Sequence, residues 1–232
     1  MTIVGLLAVW GVPAFGAVLM AVGVVLVVIG ACDPKREVAR KAEEARAKVE
    51  AAGDLCDQQR YAEAIPLLEE AKQLVPDVSA IYYLLGHALS GAERFTEAVT
   101  WLEEAQERGA TDTPLPVVLG YTYYKAGQIE KGMEMLQAIP DDHPLFVTAI
   151  SLLAGMFEER GQCETAIEVL KRAPLQKRNL TEELLQVHYV LGSYYLRLGD
   201  KKSALRHFRR VYAHSMDYRD VKAQIEALSG KL

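Results

Sequence analysis

Residues 79–112 read SAIYYLLGHALSGAERFTEAVTWLEEAQERGATD, and this stretch decides the fold. Large apolar residues surround Leu85 and Gly86 in its first half, and Ala98 and Leu102 recur at helical spacing in its second half. The alternation of apolar and polar residues that is typical of a strand is missing. The stretch therefore predicts two helices joined by a turn, which approach each other closely where small residues meet.

The same pattern returns every 34 residues along the chain. Four frames follow one another without insertion at 45–78, 79–112, 113–146 and 147–180, and a fifth at 185–218 follows a slip of four residues. Small residues occupy the eighth and the twentieth positions of the first four frames: Ala52, Gly86, Gly120, Ala154, and Ala64, Ala98, Gly132, Ala166. The corresponding residues of the fifth frame include Leu191, Gly192, Tyr195, Ala204 and Phe208. A period kept this strictly predicts an array of repeated helix pairs.

The pattern resembles that of the tetratricopeptide repeat (TPR) family, whose unit carries Leu-Gly and Tyr on a first helix, then Ala, Phe, Ala and Pro on and after a second. The second frame carries the resemblance through Tyr82, Leu85, Gly86, Leu89, Ala98, Leu102 and Ala105. The resemblance implies an all-α fold, a right-handed superhelical solenoid of five helix-turn-helix units, with residues 219–232 as a C-terminal capping helix. Three residues depart from the family pattern: Lys48, Pro116 and Gly132.

The start of the chain carries a second signal, because residues 3–31 contain no charged side chain. A helix over residues 13–31 would be roughly 28 Å long, close to the thickness of the hydrocarbon core of a bilayer. Pro13 suits the first turn of such a helix. We therefore predict one transmembrane helix within residues 1–32, spanning about 13–31, which contacts membrane lipid.

Three glycines follow one another at intervals of seven in this apolar run: Gly16, Gly23 and Gly30. They share one stripe of the predicted helix, and small residues allow another membrane helix to pack closely. The stripe leaves open both self-association and packing within a larger membrane complex.

The N-terminal segment has two other interpretations. A cleavable secretory signal has a basic start and an apolar run of roughly 7 to 15 residues, and this segment has neither. A bacterial lipoprotein signal is the second alternative, because residues 29–32, Ile-Gly-Ala-Cys, resemble a lipobox whose cysteine is lipidated after cleavage. The length of the run and the absence of Lys and Arg before it favour the uncleaved helix. Lipidation of Cys32 would place the repeats outside the cytoplasm.

Basic residues follow the apolar run, whereas none precedes it: Lys35, Arg36, Arg40, Lys41, Arg46 and Lys48. Since Lys and Arg concentrate on the cytoplasmic side of membrane helices, the repeats of this single-pass protein are predicted to be cytoplasmic.

Residues 35–52 lack Gly and Pro and are rich in good helix formers, so residues 33–44 are predicted as a charged linker helix that runs into the first repeat. Three cysteines without paired spacing suit a reducing compartment.

The residue types that catalysis requires do not come together in the sequence. It contains no Gly-rich phosphate loop, no cluster with metal-ligand spacing and no nucleophile with a base beside it. His207 and His214 are seven residues apart, but they lack Cys or carboxylate partners at ligand spacing, so no metal is expected. We predict a protein that is not an enzyme and carries no cofactor.

The resemblance to the TPR family also implies which residues face a partner. Positions 2, 5, 9 and 12 of each first helix line the concave surface in that family, and the candidates here are Tyr83, His87, Tyr121, Tyr124, Tyr189 and Ser193. The Lys and Asn set with which some members hold the terminal carboxylate of a peptide is absent. The groove is therefore predicted to bind an extended peptide or a helix of a partner protein on its tyrosines.

Charge is distributed unevenly. Residues 33–170 contain 13 basic and 25 acidic side chains, whereas residues 171–232 contain 13 basic and 6 acidic ones. The predicted basic patch consists of Arg197, Lys201, Lys202, Arg206, Arg209 and Arg210. Such a patch suits an acidic partner or anionic lipid. Nucleic acid is not expected, because few aromatic residues interleave with the cations as stacking platforms.

These features predict a membrane-anchored TPR scaffold of bacterial type. It is expected to recruit or assemble protein partners at the cytoplasmic face of a membrane by binding them. Two alternatives stay open, namely an exported lipoprotein that assists assembly and an accessory subunit of an integral membrane complex.

Overall fold

The computed structural model describes residues 36–110 and 114–230. Eleven α-helices and no β-strand occur in these two ranges, which confirms the all-α prediction. The helices are α1 (Arg36–Asp57), α2 (Tyr61–Leu74), α3 (Ser79–Gly91), α4 (Phe95–Glu107), α5 (Leu115–Lys125), α6 (Ile129–Gln137), α7 (Phe146–Glu159), α8 (Cys163–Leu170), α9 (Glu182–Arg197), α10 (Lys201–Tyr212) and α11 (Val221–Ser229).

The predictions for the N-terminal segment lie outside the described residues. They are the membrane span at 13–31, the glycine stripe of Gly16, Gly23 and Gly30, and the lipidation of Cys32. Among the helices of the described ranges, none has both the length and the apolar character needed to cross a bilayer. Helix α1 passes without interruption from the predicted linker into the first frame.

Ten of the helices form five hairpins, numbered 1 to 5 from α1–α2 to α9–α10, and α11 follows hairpin 5. A turn of three residues joins the two helices of every hairpin. Short turns of this kind make the two helices antiparallel neighbours. The small residues of the sequence pattern therefore lie on helices that are antiparallel neighbours.

All five turns have the same backbone geometry. The amide after the middle residue donates a hydrogen bond to the carbonyl five residues earlier, with N···O distances of 2.8 to 2.9 Å. This is the Schellman arrangement, which satisfies carbonyls left open at a helix end and requires a left-handed residue. The left-handed residues are Gln59, Glu93, Gly127, Gly161 and Gly199, with φ from 61° to 86°. Hairpins 1 and 2 therefore adopt without glycine a conformation that costs other residues energy.

The chain divides into two compact units, unit 1 up to Met135 and unit 2 from Leu136, so that the boundary falls within α6. In unit 1, hairpins 1 and 2 and α5 pack in chain order. Gly86 of α3 lies beneath Leu102 of α4, and a Cβ atom on this glycine would be 2.6 Å from Leu102 Cγ. The eighth position of this frame must stay small for α3 and α4 to meet.

The glycine that replaces the usual alanine in the third frame has a packing reason. A Cβ atom on Gly132 would lie 2.5 Å from the carbonyl oxygen of Gly120 and 2.7 Å from the amide nitrogen of Tyr124. Helix α6 therefore approaches the backbone of α5 more closely than an alanine would allow.

The other two departures from the family pattern are also accommodated in unit 1. The ammonium group of Lys48 lies 2.5 Å from a carboxylate oxygen of Glu70 on α2. Pro116 is exposed in the first turn of α5, where its missing N–H would have no helical partner.

Unit 2 contains hairpins 4 and 5 and α11. Gly192 of α9 lies beneath the ring of Phe208, which a Cβ atom on the glycine would meet at 2.7 Å. Helix α11 packs against α10 and buries Val221 and Leu228. These contacts cover apolar surface at the end of the array. The right-handed superhelix stays a prediction.

Candidate protein-binding surface

Two of the predicted groove tyrosines in unit 1 are buried. Tyr83 on α3 and Tyr121 on α5 are each 2% exposed, so their rings fill space between helices. The Tyr83 ring stacks on His87 with centroids 6.1 Å apart, and Tyr61 meets the same imidazole edge-on at 6.2 Å. Burial lowers the pKa of His87 to about 4 and raises the pKa of Tyr83. The imidazole of His87 is therefore neutral at pH 7, and the residue as a whole is half-buried.

Two side chains near the C-terminal end of α5, Tyr124 and Lys125, are half-buried and so reach the surface in part. The Lys125 ammonium lies 5.6 Å from the centroid of the Tyr124 ring and 5.9 Å from that of the Tyr121 ring, and such cation–π contacts hold a charge in place. Lys125 was absent from the sequence-based candidates. Only its position after two aromatic residues could have suggested it.

A buried hydrogen bond connects the two first helices that carry these side chains. The hydroxyl oxygens of Ser90 on α3 and Thr122 on α5 are 3.0 Å apart, and Thr122 Oγ1 also lies 2.7 Å from the carbonyl oxygen of Val118. Neighbouring first helices are thus fixed to each other. We define the first-helix surface of unit 1 as His87, Tyr124 and Lys125.

The predicted groove residues of unit 2 have partners within the chain. The Tyr189 hydroxyl donates to Asp220 Oδ1 at 2.5 Å, and the Arg219 guanidinium lies 5.0 Å from the Tyr189 ring and 5.4 Å from the Tyr218 ring. Burial and the Asp220 carboxylate raise the pKa of Tyr189 to about 12. Ser193 Oγ donates to the backbone oxygen of Tyr189 at 3.1 Å. The segment that leads into α11 therefore already occupies this part of the first-helix face.

The structure separates the predicted basic patch into two parts. Arg197 ends α9, where it pairs with the carboxylate of Glu158 and lies 2.6 Å from Cys163 Sγ. Arg210 on α10 donates to the backbone oxygen of Lys177 at 2.7 Å. The remaining cations of the patch are exposed on α10 and are Lys201, Lys202, Arg206 and Arg209.

A buried histidine pair lies between α9 and α10. The Nδ1 atoms of His188 and His207 are 3.0 Å apart, so that one neutral ring donates to the other, and Tyr195 stacks on His207 at 5.6 Å. Burial lowers the pKa of His207 to about 4 and also lowers that of His188. In the sequence, the histidine at helical spacing from His207 is His214. The structure instead pairs His207 with His188 on the neighbouring helix, a contact that depends on packing register and not on spacing. Within the described ranges, no group of three or more His, Cys, Asp or Glu side chains is arranged to hold a metal ion.

Three profiles of the tetratricopeptide repeat family match the sequence, at residues 55–115, 118–145 and 185–213. Together these matches cover about half of the chain. No curated protein sequence matches it.

Several solved structures have a similar fold. MamA 41-end from Desulfovibrio magneticus RS-1 is 20% identical with a TM-score of 0.56, over 76% of this chain and 97% of that one. TTC0263, a thermophilic TPR protein of Thermus thermophilus, is 16% identical with a TM-score of 0.58, over 79% and 98%. YrrB, described as a TPR protein with an unusual peptide-binding site, is 18% identical with a TM-score of 0.51, over 80% and 91%. At these identities the likeness concerns the fold alone. The 34-residue period, the hairpins and the matching profiles agree, and the chain belongs to the tetratricopeptide repeat family.

Proposed function

We propose that this chain is a membrane-anchored TPR scaffold, which binds a segment of a partner protein on the first-helix surface of unit 1. The observation that carries the proposal is the contrast in burial on α3 and α5. Tyr83 and Tyr121 are buried, whereas His87, Tyr124 and Lys125 are each partly exposed. The buried rings hold the helices, and the partly exposed groups form the surface that a partner protein would meet.

The chemistry of this surface suits a peptide-like ligand. Aromatic side chains with a polar edge are enriched at the centres of protein interfaces. The Lys125 ammonium and the Tyr124 phenol suit carbonyl or carboxylate oxygens of an extended or helical segment. Because the surface is supported by packed rings and the Ser90–Thr122 hydrogen bond, little ordering is needed when a partner binds. The description of YrrB as having a peptide-binding site supports the same class of ligand.

The scaffold is proposed to lie at the cytoplasmic face of a membrane. Its uncharged run at residues 3–31 is long enough to span a bilayer, and basic residues only follow the run. The sequence around Cys32 favours a second candidate, an exported lipoprotein that assists assembly. The glycines at 16, 23 and 30 favour a third, an accessory subunit of a membrane complex.

Site-specific crosslinking tests the binding surface. A photoreactive phenylalanine analogue replaces Tyr124 in the full-length chain in native membranes, and the control carries it at Thr100, which is exposed on the second helix α4. We expect a discrete protein adduct from position 124 alone, which weakens when Lys125→Ala is added. Identical adducts from both positions, or none from position 124, would refute the proposed surface.

The mass of the mature protein tests the anchor. An uncleaved chain that resists alkaline extraction from membranes is expected. A chain that begins at an acylated Cys32 would establish the lipoprotein alternative, and release by alkali without acylation would exclude both kinds of anchor.

A further inference from the structure

The outer face of α10 differs in charge from the other helices. No Asp or Glu occurs between Lys201 and Tyr212, and four cations are exposed along its length. The opposite face of the helix is buried in hairpin 5 by Ala204, Leu205, Phe208 and Val211. Helix α10 is therefore fixed by its apolar face and presents its basic face to solvent.

The exposed cations of α10 lack the partners that cations have in unit 1. Between residues 37 and 135, every Lys and Arg side chain lies close to a carboxylate or an aromatic ring. By contrast, in the part of the chain that the structure describes, no carboxylate forms an ion pair with the outer cations of α10, which are Lys201, Lys202, Arg206 and Arg209. The nearby Asp200 caps α10 by accepting a hydrogen bond from the Ser203 amide at 3.0 Å. Asp200 is also a carboxylate whose pKa is lowered, first by its hydrogen bonds to Ser203 and then by a cation of this face, Arg206. In the described ranges none of the four outer cations has an ion-pair partner.

Exposed apolar side chains lie in the turns at both ends of α10. Leu198, in the turn before the helix, is 43% exposed, and Met216, in the turn after it, is 64% exposed. They are the most exposed large apolar side chains in the described ranges. Between them, the outer face of α10 offers no apolar anchor of the kind on which protein hot spots are built.

We propose that this face, formed by Lys201, Lys202, Arg206 and Arg209 between Leu198 and Met216, docks on a bilayer that contains anionic phospholipids. A charged bilayer requires no shape complementarity, because Lys and Arg side chains are attracted to its surface potential within about 10 Å at 0.1 M salt. Apolar side chains beside the cations reach the interfacial region. The contact is made by unit 2, so it goes beyond the proposed peptide-binding surface and does not depend on it.

Lysine acetylation of the full-length chain tests this docking. The chain is reconstituted with phosphatidylcholine vesicles or with vesicles that contain about 30% phosphatidylglycerol, treated with an amine-acetylating reagent and analysed by mass spectrometry. We expect acetylation of Lys201 and Lys202 to slow at least about threefold in the anionic vesicles and to recover in about 0.5 M NaCl. Lys72 and Lys131 of unit 1, which lie far along the chain from the predicted anchor, should react alike in both.

Two matched variants check the origin of the protection. Arg206→Gln with Arg209→Gln keeps both reporter lysines and should reduce their protection. Arg60→Gln with Arg94→Gln removes the same charge from two exposed turns of unit 1 and should not. Equal reaction rates in the two kinds of vesicle would overturn the proposal. Protection by polyglutamate without protection by anionic vesicles would overturn it in favour of an acidic protein. Failure of the N-terminal anchor is distinguishable, because it shows as failure to associate with neutral vesicles.

Discussion

Hairpins 2 and 5 share one sequence frame but fill its tightest point differently. Both carry glycine at the eighth position, where Gly86 lies beneath Leu102 in hairpin 2 and Gly192 lies beneath Phe208 in hairpin 5. The ring of Phe208 takes the place that Leu102 has in hairpin 2, and in both hairpins the side chain lies directly over the glycine of the first helix. The frame therefore fixes where two helices touch, whereas the choice of side chain decides how much apolar area is buried there.

The turns and surfaces of the two hairpins differ as well. The left-handed residue is Glu93 in hairpin 2, with φ of 62°, and Gly199 in hairpin 5, with φ of 81°. Hairpin 2 pairs its surface arginines with glutamates, whereas the outer cations of α10 form no such pair within the described ranges. The same backbone arrangement thus accommodates a strained non-glycine turn residue in hairpin 2 and exposed cations without ion pairs on α10 of hairpin 5.

The largest difference should appear when the residue above the glycine is removed. We expect Phe208→Ala to lower the free energy of unfolding by about 4 kcal/mol and Leu102→Ala by about 3 kcal/mol, because both side chains are fully buried and leave a cavity. Urea denaturation followed by circular dichroism measures both values. Leu198→Ala, at an exposed position, is the control with little effect. A larger loss from Leu102→Ala would contradict the comparison.

Acid should weaken hairpin 5 more than hairpin 2, through its two facing histidines. Because the folded pKa of His207 is about 4 and the ordinary value is near 6.5, the unfolded chain binds more protons between these values. Stability is therefore complete above about pH 6.5 and declines as the pH falls towards 4. Protonation is opposed by burial, His188, Arg206 and Lys171.

This pH dependence is measured as the urea midpoint between pH 6.5 and 5. The slope should decrease in His207→Gln and stay unchanged in Leu198→Ala, which removes no titratable group from an exposed position. His87 of hairpin 2, with a pKa of about 4, contributes a single site to the remaining slope. An unchanged slope in His207→Gln would show that His207 binds the same number of protons in the folded and the unfolded chain.

Exchange of the turn residues should give a smaller effect, with opposite signs in the two hairpins. Gly199→Ala should destabilise the protein by about 1 kcal/mol, because a Cβ atom is strained at positive φ. Glu93→Gly should stabilise it by about 0.5 kcal/mol, since relief of that strain exceeds the added freedom of the unfolded chain. The denaturation midpoints decide the signs. A loss of stability in Glu93→Gly would mean that the glutamate side chain contributes a contact of its own.

The smallest effect should come from the surface ion pair of hairpin 2. Glu97→Gln removes the carboxylate that lies 2.6 Å from Arg94, and both groups are exposed to solvent. Exposed pairs of this kind contribute little. We expect no measurable shift of the midpoint in 0.1 M or higher salt, whereas a clear decrease would show that hairpin 2 depends on its paired charges.

Sequence reasoning located the helices, but it did not separate the buried from the exposed side chains of the predicted groove. The small residues Gly86 and Gly192 indicated the helix contacts, because their spacing repeats along the chain. The same positional rule selected both Tyr121 and Tyr124, yet the first is buried and the second reaches the surface. Position along a helix indicates a face, but the depth of a side chain depends on what packs over it.

By itself the sequence determined the all-α class and the sites of close helix contact, because periodicity is a property of neighbouring residues. It also determined the membership of the repeat family. Only the tertiary structure decided that the Tyr189 hydroxyl donates a hydrogen bond to Asp220 and that His188 faces His207. It also decided that the outer cations of α10 form no ion pair within the described ranges. These outcomes depend on distances between residues that are far apart in the chain, and only packing sets such distances.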